Sequence, residues 1–83
     1  MPFGYPIENQ VLLETLFQLR VGTGFTQQEI AAKLNIPQST ISKIETGHRK
    51  LDLVELKALC DVAGITLTEF VEKFESNLNE KRQ

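Results

Sequence analysis

Residues 26–47 constrain the fold of this chain more than the rest of its sequence does. Thr26 stands three residues before Glu29, the spacing at which each side chain satisfies an orphan backbone N–H at a helix start. Ile30, Ala31 and Leu34 follow at the spacing of a helix's inner face. Asn35 ends that run, and asparagine tolerates the left-handed conformation a tight helix exit needs. Pro37 has no N–H to satisfy and suits the first turn of a new helix. That helix covers about residues 38–46, turns Ile41 and Ile44 inward and stops at Gly47. Ala31 is small enough to let the two helices cross closely.

This is the layout of a helix-turn-helix, with small polar side chains and Lys43 on the outward side of its second helix. The flanking sequence supplies three more helices. Ile7, Val11, Leu12, Leu16 and Leu19 form a helical stripe that ends at Gly22-Thr23-Gly24. Leu13 and Phe17 lie on an adjacent face and offer a second apolar contact. Asp52 and Glu55 start a fourth helix whose inner stripe is Leu53, Leu56, Leu59, Cys60 and Ala63, with Gly64 at its end. Thr66 and Glu69 start a fifth, with Leu67, Phe70, Val71, Phe74 and Leu78 on one stripe. The first six residues, rich in Pro and Gly, read as an arm or turn that packs Phe3 or Tyr5 on the body, and the polar tail 79–83 is expected to fray. No strand pattern occurs, so the expected fold is all-α with five helices in one domain, 1–83.

Eighty-three residues bury only roughly 60–65% of the surface an unfolded chain exposes, which makes oligomerisation a source of added stability. No apolar run approaches the ~18 residues of a membrane helix. The N-terminus lacks the pattern of a signal peptide, and the single cysteine allows no intramolecular disulfide, which fits the cytosol. Net charge is −2, yet residues 20–50 carry five bases against two acids, a net of +3, while residues 51–83 carry a net of −3. The positive charge therefore sits in and just after the helix-turn-helix, where it can orient the molecule on a polyanion. His48 has no metal-ligand cluster around it, and no nucleophile–base pair or phosphate loop occurs, so neither enzyme chemistry nor a cofactor, metal or small-molecule ligand is expected.

The chain resembles the phage-repressor (Cro/Xre) class of helix-turn-helix regulators, with a lambda-repressor-like five-helix domain. Arg20, then Gly24-Phe25-Thr26-Gln27-Gln28-Glu29, then Ser39-Thr40-Ile41-Ser42-Lys43-Ile44-Glu45-Thr46-Gly47 carry the resemblance, which extends from about residue 12 to 74. Asn35 replaces the commoner turn glycine, and Pro37 replaces the usual Ser/Thr cap.

The resemblance implies roles by position. Gln27 would bond a phosphate and fix the docking register. Gln38 and Ser39 would face base edges in the major groove, where glutamine can pair with adenine N6 and N7. Ser42 and Lys43 share that face, and Lys43 would take a guanine or a phosphate. Thr40 is better placed for a backbone contact. His48, Arg49 and Lys50 would hold flanking phosphates, which position a protein without reading sequence. Arg20 and Glu45 would form a structural salt bridge. Phe70, Phe74 and Leu78, on the C-terminal helix about 67–79, would belong to the core or to a dimer interface, with interface favoured for Phe74 and Leu78. The expected function is a sequence-specific, nucleoid-associated transcriptional repressor binding an inverted-repeat operator as a homodimer. The alternative is a protein-interaction module of the same fold, docking on a toxin or RNA polymerase, which the acidic C-terminal third would suit. With no further domain in sight, control would come from concentration, a partner protein or the terminal arms.

Overall fold

Local signals set most helix ends. In the computed structural model, which describes residues 5–82, five helices follow in order: α1 Pro6–Thr23, α2 Gln27–Leu34, α3 Gln38–Glu45, α4 Leu53–Ala63 and α5 Leu67–Arg82. No strand occurs among the described residues. Thr26 Oγ1 accepts from the Glu29 N–H at 3.1 Å and Glu29 Oε1 accepts from the Thr26 N–H at 2.9 Å, closing the box that starts α2. Asp52 with Glu55 and Thr66 with Glu69 repeat this reciprocal pair before α4 and α5. Asn35 has φ 56°, and the N–H groups of Asn35 and Ile36 return to the carbonyls of Ala32 and Ala31. This closes the exposed end of α2 within two residues and sets the sharp turn into α3. Pro37 lies just outside α3, extended at φ −65° and ψ 145°, with no capping side chain.

The core gathers Leu16, Ile30, Ala31, Ile41, Ile44, Leu56, Leu59, Cys60 and Phe70 from all five helices. Burial pushes the Cys60 thiol above its ordinary pKa. Gly47, at φ 81°, lets the chain leave α3 against α1: a Cβ there would sit 3.1 Å from Leu13 Cδ1.

Several expectations from the apolar stripes need correction. Leu53 is 66% exposed, because α4 begins at that residue and its first turn projects past the core. Ile7 is also exposed, so the stripe on α1 is shorter than its apolar residues suggest, while Phe17, on the adjacent face, is exposed too. Thr15 takes the missing inner position: it is fully buried, donates to the Val11 carbonyl at 2.7 Å and accepts from Asn77 Nδ2 at 3.0 Å. Through that bond α5 lies antiparallel along α1. Within the described residues the tail, expected to fray, is helical through Arg82, with Lys81 paired to Glu14 and Arg82 to Glu8. Leu78, 6% exposed, is covered by its own chain, and so is Phe70 at 1%. Both side chains therefore belong to the protomer's own core, since the 18-residue α1 is long enough to cover α5 beyond its middle. Phe74 is half-buried and Tyr5 exposed, while the expectation for Phe3 lies outside the described residues.

Candidate nucleic-acid interface

Helix α3 separates two sets of side chains by angle alone. At 3.6 residues per turn, Gln38, Ser42, Ser39 and Lys43 fall within an arc of about 140°, and Ile41 and Ile44 lie outside it. The two isoleucines are buried. Gln38, Ser39 and Lys43 are exposed, Ser42 is half-buried, and none of the four side chains has a hydrogen-bond partner among the described residues. Anchored on one side by the core, α3 presents a row of unspent donors and acceptors on the other. Thr40 sits at one border of this arc, half-buried and beside Leu34, Ile36, Leu51 and Ala58, where only its margin reaches solvent.

Glu45 sits at the opposite border, and three elements converge on it. Arg20 Nε donates to Glu45 Oε2 at 2.6 Å and Arg20 Nη2 to Oε1 at 3.0 Å, a two-pronged ion pair with side chains 15% and 11% exposed. The bond to Glu45 raises the pKa of the guanidinium further above its ordinary value. Arg20 Nη1 donates to the Phe25 carbonyl at 3.1 Å, fixing the loop that feeds α2. Gln27 Nε2 donates to Glu45 Oε1 at 2.9 Å. The first residue of α2 is thus held against the last residue of α3, next to the free face of α3. The backbone N–H groups of Gln27 and Gln28, at the start of α2, have no intrahelical acceptor and suit an anion.

Past α3, His48 and Arg49 both return their N–H groups to the Lys43 carbonyl, at 2.8 and 3.1 Å. This folds the basic loop back beside the reading face. His48 Nδ1 lies 2.8 Å from Thr46 Oγ1. Lys50 is exposed. Arg49 is less available than expected, since its Nη2 donates to Glu55 Oε2 at 2.5 Å. Glu55 is also the carboxylate of the α4 capping box, so a phosphate must compete with, or share, an existing ion pair. That bond holds the Glu55 carboxyl below its usual range, helped by the backbone N–H of Asp52.

The site residues expected from sequence therefore fall in three groups. Gln27, Gln38, Ser39, Ser42 and Lys43 share one surface with Thr40 at its edge, the 48–50 loop flanks it, and Arg20 and Glu45 hold it together from beneath. The Gln27–Glu45 and Arg49–Glu55 bonds were not read from the sequence. Capping-box spacing marked Glu55 as structural and gave no sign of its bond to Arg49.

The HTH_3 helix-turn-helix family model matches residues 16–70, well over half of the chain. An XRE-family like protein from Pseudomonas syringae pv. tomato str. DC3000 is similar in structure, with a TM-score of 0.77 and 38% identity over 83% of this chain and 84% of that one. The chain belongs to the XRE-type helix-turn-helix family. No curated protein matches it. Members of this family are regulatory DNA-binding domains, not typically enzymes, and this XRE-type chain is a DNA-binding helix-turn-helix regulator of lambda-repressor-like fold. Among the described residues no helix is long and apolar enough to cross a membrane, and no group of three or more His, Cys, Asp or Glu could hold a metal ion.

Proposed function

We propose that this regulator is a sequence-specific repressor that binds an inverted-repeat operator as a homodimer. The observation that carries the reading is the outward arc of α3, whose Gln38, Ser39 and Lys43 side chains are exposed and unbonded on a helix otherwise locked into the core. Each protomer inserts α3 into a major groove, with half-sites about one turn, ~34 Å, apart. Gln38 and Ser39 read base edges, and Ser42 and Lys43 extend the contact by one turn. Gln27 and the 48–50 loop grip phosphates on either side. Occupying the promoter in this way blocks transcription.

Electrophoretic shift with DNA from upstream of its own gene, over a salt series, tests this. Specific binding that weakens steeply with salt is expected, since phosphate contacts release counterions. Gln38→Ala is expected to cost about 1–3 kcal/mol on the preferred site and to relax preference at one base position. Equal loss on specific and nonspecific DNA would refute base reading by Gln38. A chain that shifts no DNA but forms a stable complex with another protein is an interaction module instead.

A further inference from the structure

We propose that Glu45 is a positioning residue for DNA docking: held by Arg20, its carboxylate fixes the side-chain amide of Gln27 at the edge of the reading face. The inference rests on the DNA-binding reading of that face. Glu45 Oε1 accepts from Gln27 Nε2 at 2.9 Å and from Arg20 Nη2 at 3.0 Å, while Oε2 takes Arg20 Nε at 2.6 Å. One carboxylate thereby joins the end of α1, the start of α2 and the end of α3.

Two physical consequences follow for docking. The first is orientation. The Gln27 amide nitrogen carries two N–H groups on one planar unit, and engaging one with Glu45 sets the direction of the other. A glutamine that rotates freely in the unbound protein loses that freedom on contacting a phosphate, whereas a glutamine already held loses little. The second is charge. A bare carboxylate beside the reading face would repel DNA phosphates. Arg20 neutralises Glu45 and Gln27 covers it, so the surface offers amide N–H where it would otherwise offer carboxylate oxygen. A glutamate in place of Gln27 would set two carboxylates against each other and against the DNA.

A double-mutant cycle on operator affinity tests the proposal, with Gln27→Ala made in the wild type and in Glu45→Ala, at a temperature where circular dichroism shows both folded. In the wild type, Gln27→Ala is expected to weaken binding about tenfold, the worth of one charge-assisted hydrogen bond. In Glu45→Ala the same change is expected to cost less than about threefold, because Gln27 is no longer held. As a reference, Lys43→Ala is expected to have the same effect with or without Glu45. Equal effects of Gln27→Ala in both backgrounds overturn the proposal and leave Glu45 purely structural. Should Glu45→Ala not fold, the order parameter of the Gln27 side-chain amide in the free wild-type protein decides: a rigid amide supports the proposal, and one as mobile as that of Gln28 overturns it. Failure of the wild type to bind any DNA overturns the DNA-binding reading along with the proposal, and is distinct from equal losses in the cycle.

Discussion

Arg20 ties three parts of the fold together through its side chain. Its guanidinium spends Nε and Nη2 on Glu45 and Nη1 on the Phe25 carbonyl, which commits three of its five N–H donors within the protein. Replacing it with alanine leaves the Glu45 carboxylate partly buried with only Gln27 to satisfy it. Loss of one partner from a buried pair costs about 3–5 kcal/mol, and the exposure that remains here places Arg20→Ala toward the lower end. Urea denaturation of Arg20→Ala is the measurement. A variant of native stability that no longer binds DNA would make Arg20 a phosphate contact instead. Lys50→Ala presents the contrasting case. If Lys50 holds a phosphate as proposed, its loss is expected to weaken binding to all DNA sequences alike and to shrink the salt slope by about one.

Helix ends carry a second kind of consequence, which appears on lowering the pH. Glu29 and Glu69 each accept the N–H of the threonine that caps their helix, and these bonds hold both carboxyls below their ordinary pKa. Glu55 is lowered as well, first by Arg49 and then by Asp52. A carboxyl whose folded pKa is depressed stabilises the fold above its unfolded pKa, about 4.3 for glutamate, and loses that contribution as pH falls through the lower folded value. Thermal stability is therefore expected to decline below about pH 4.3. Glutamine can close the same box without titrating. The double variant Glu29→Gln, Glu69→Gln is accordingly expected to show a flatter acid decline, and a decline as steep as that of the wild type would assign acid sensitivity elsewhere. These boxes were legible in the sequence because their partners stand three residues apart, and so were the turn at Asn35 and the inward isoleucines of α3. What could not be read depends on how helices lie against one another. Thr15 meets Asn77 across 62 residues, and Gln27 meets Glu45 across 18, bonds that exist only once the helices have packed. A stripe likewise announces an apolar face but not its cover, which is why Leu78 looked available to a second protomer and Leu53 looked buried.

At the scale of the whole molecule, the proposed pairing has a candidate surface that takes in Phe70 and Phe74 and leaves out Leu78. Among the described residues, large apolar side chains left exposed include Tyr5, Leu53, Val54 and Val71. Tyr5 and Val71 border a groove of about 510 Å³ whose walls also include Leu12, Leu56 and Phe74. Glu8 lines it from the α1 side and Lys50 from the α4 side. An exposed apolar floor of this kind suits a two-fold contact between the protomers of the proposed dimer. Val71 is exposed enough that a charge there leaves the core intact. Val71→Glu is therefore expected to keep the wild-type helical content and melting temperature of an isolated protomer, to sediment as a monomer, and to need far more protein to occupy a full operator while still binding a half-site. Val54→Glu, which alters an exposed side chain outside the groove, is expected to remain dimeric. If sedimentation finds Val71→Glu as dimeric as the wild type, the two-fold contact lies on another face, and the half-site spacing of the operator must be explained from there.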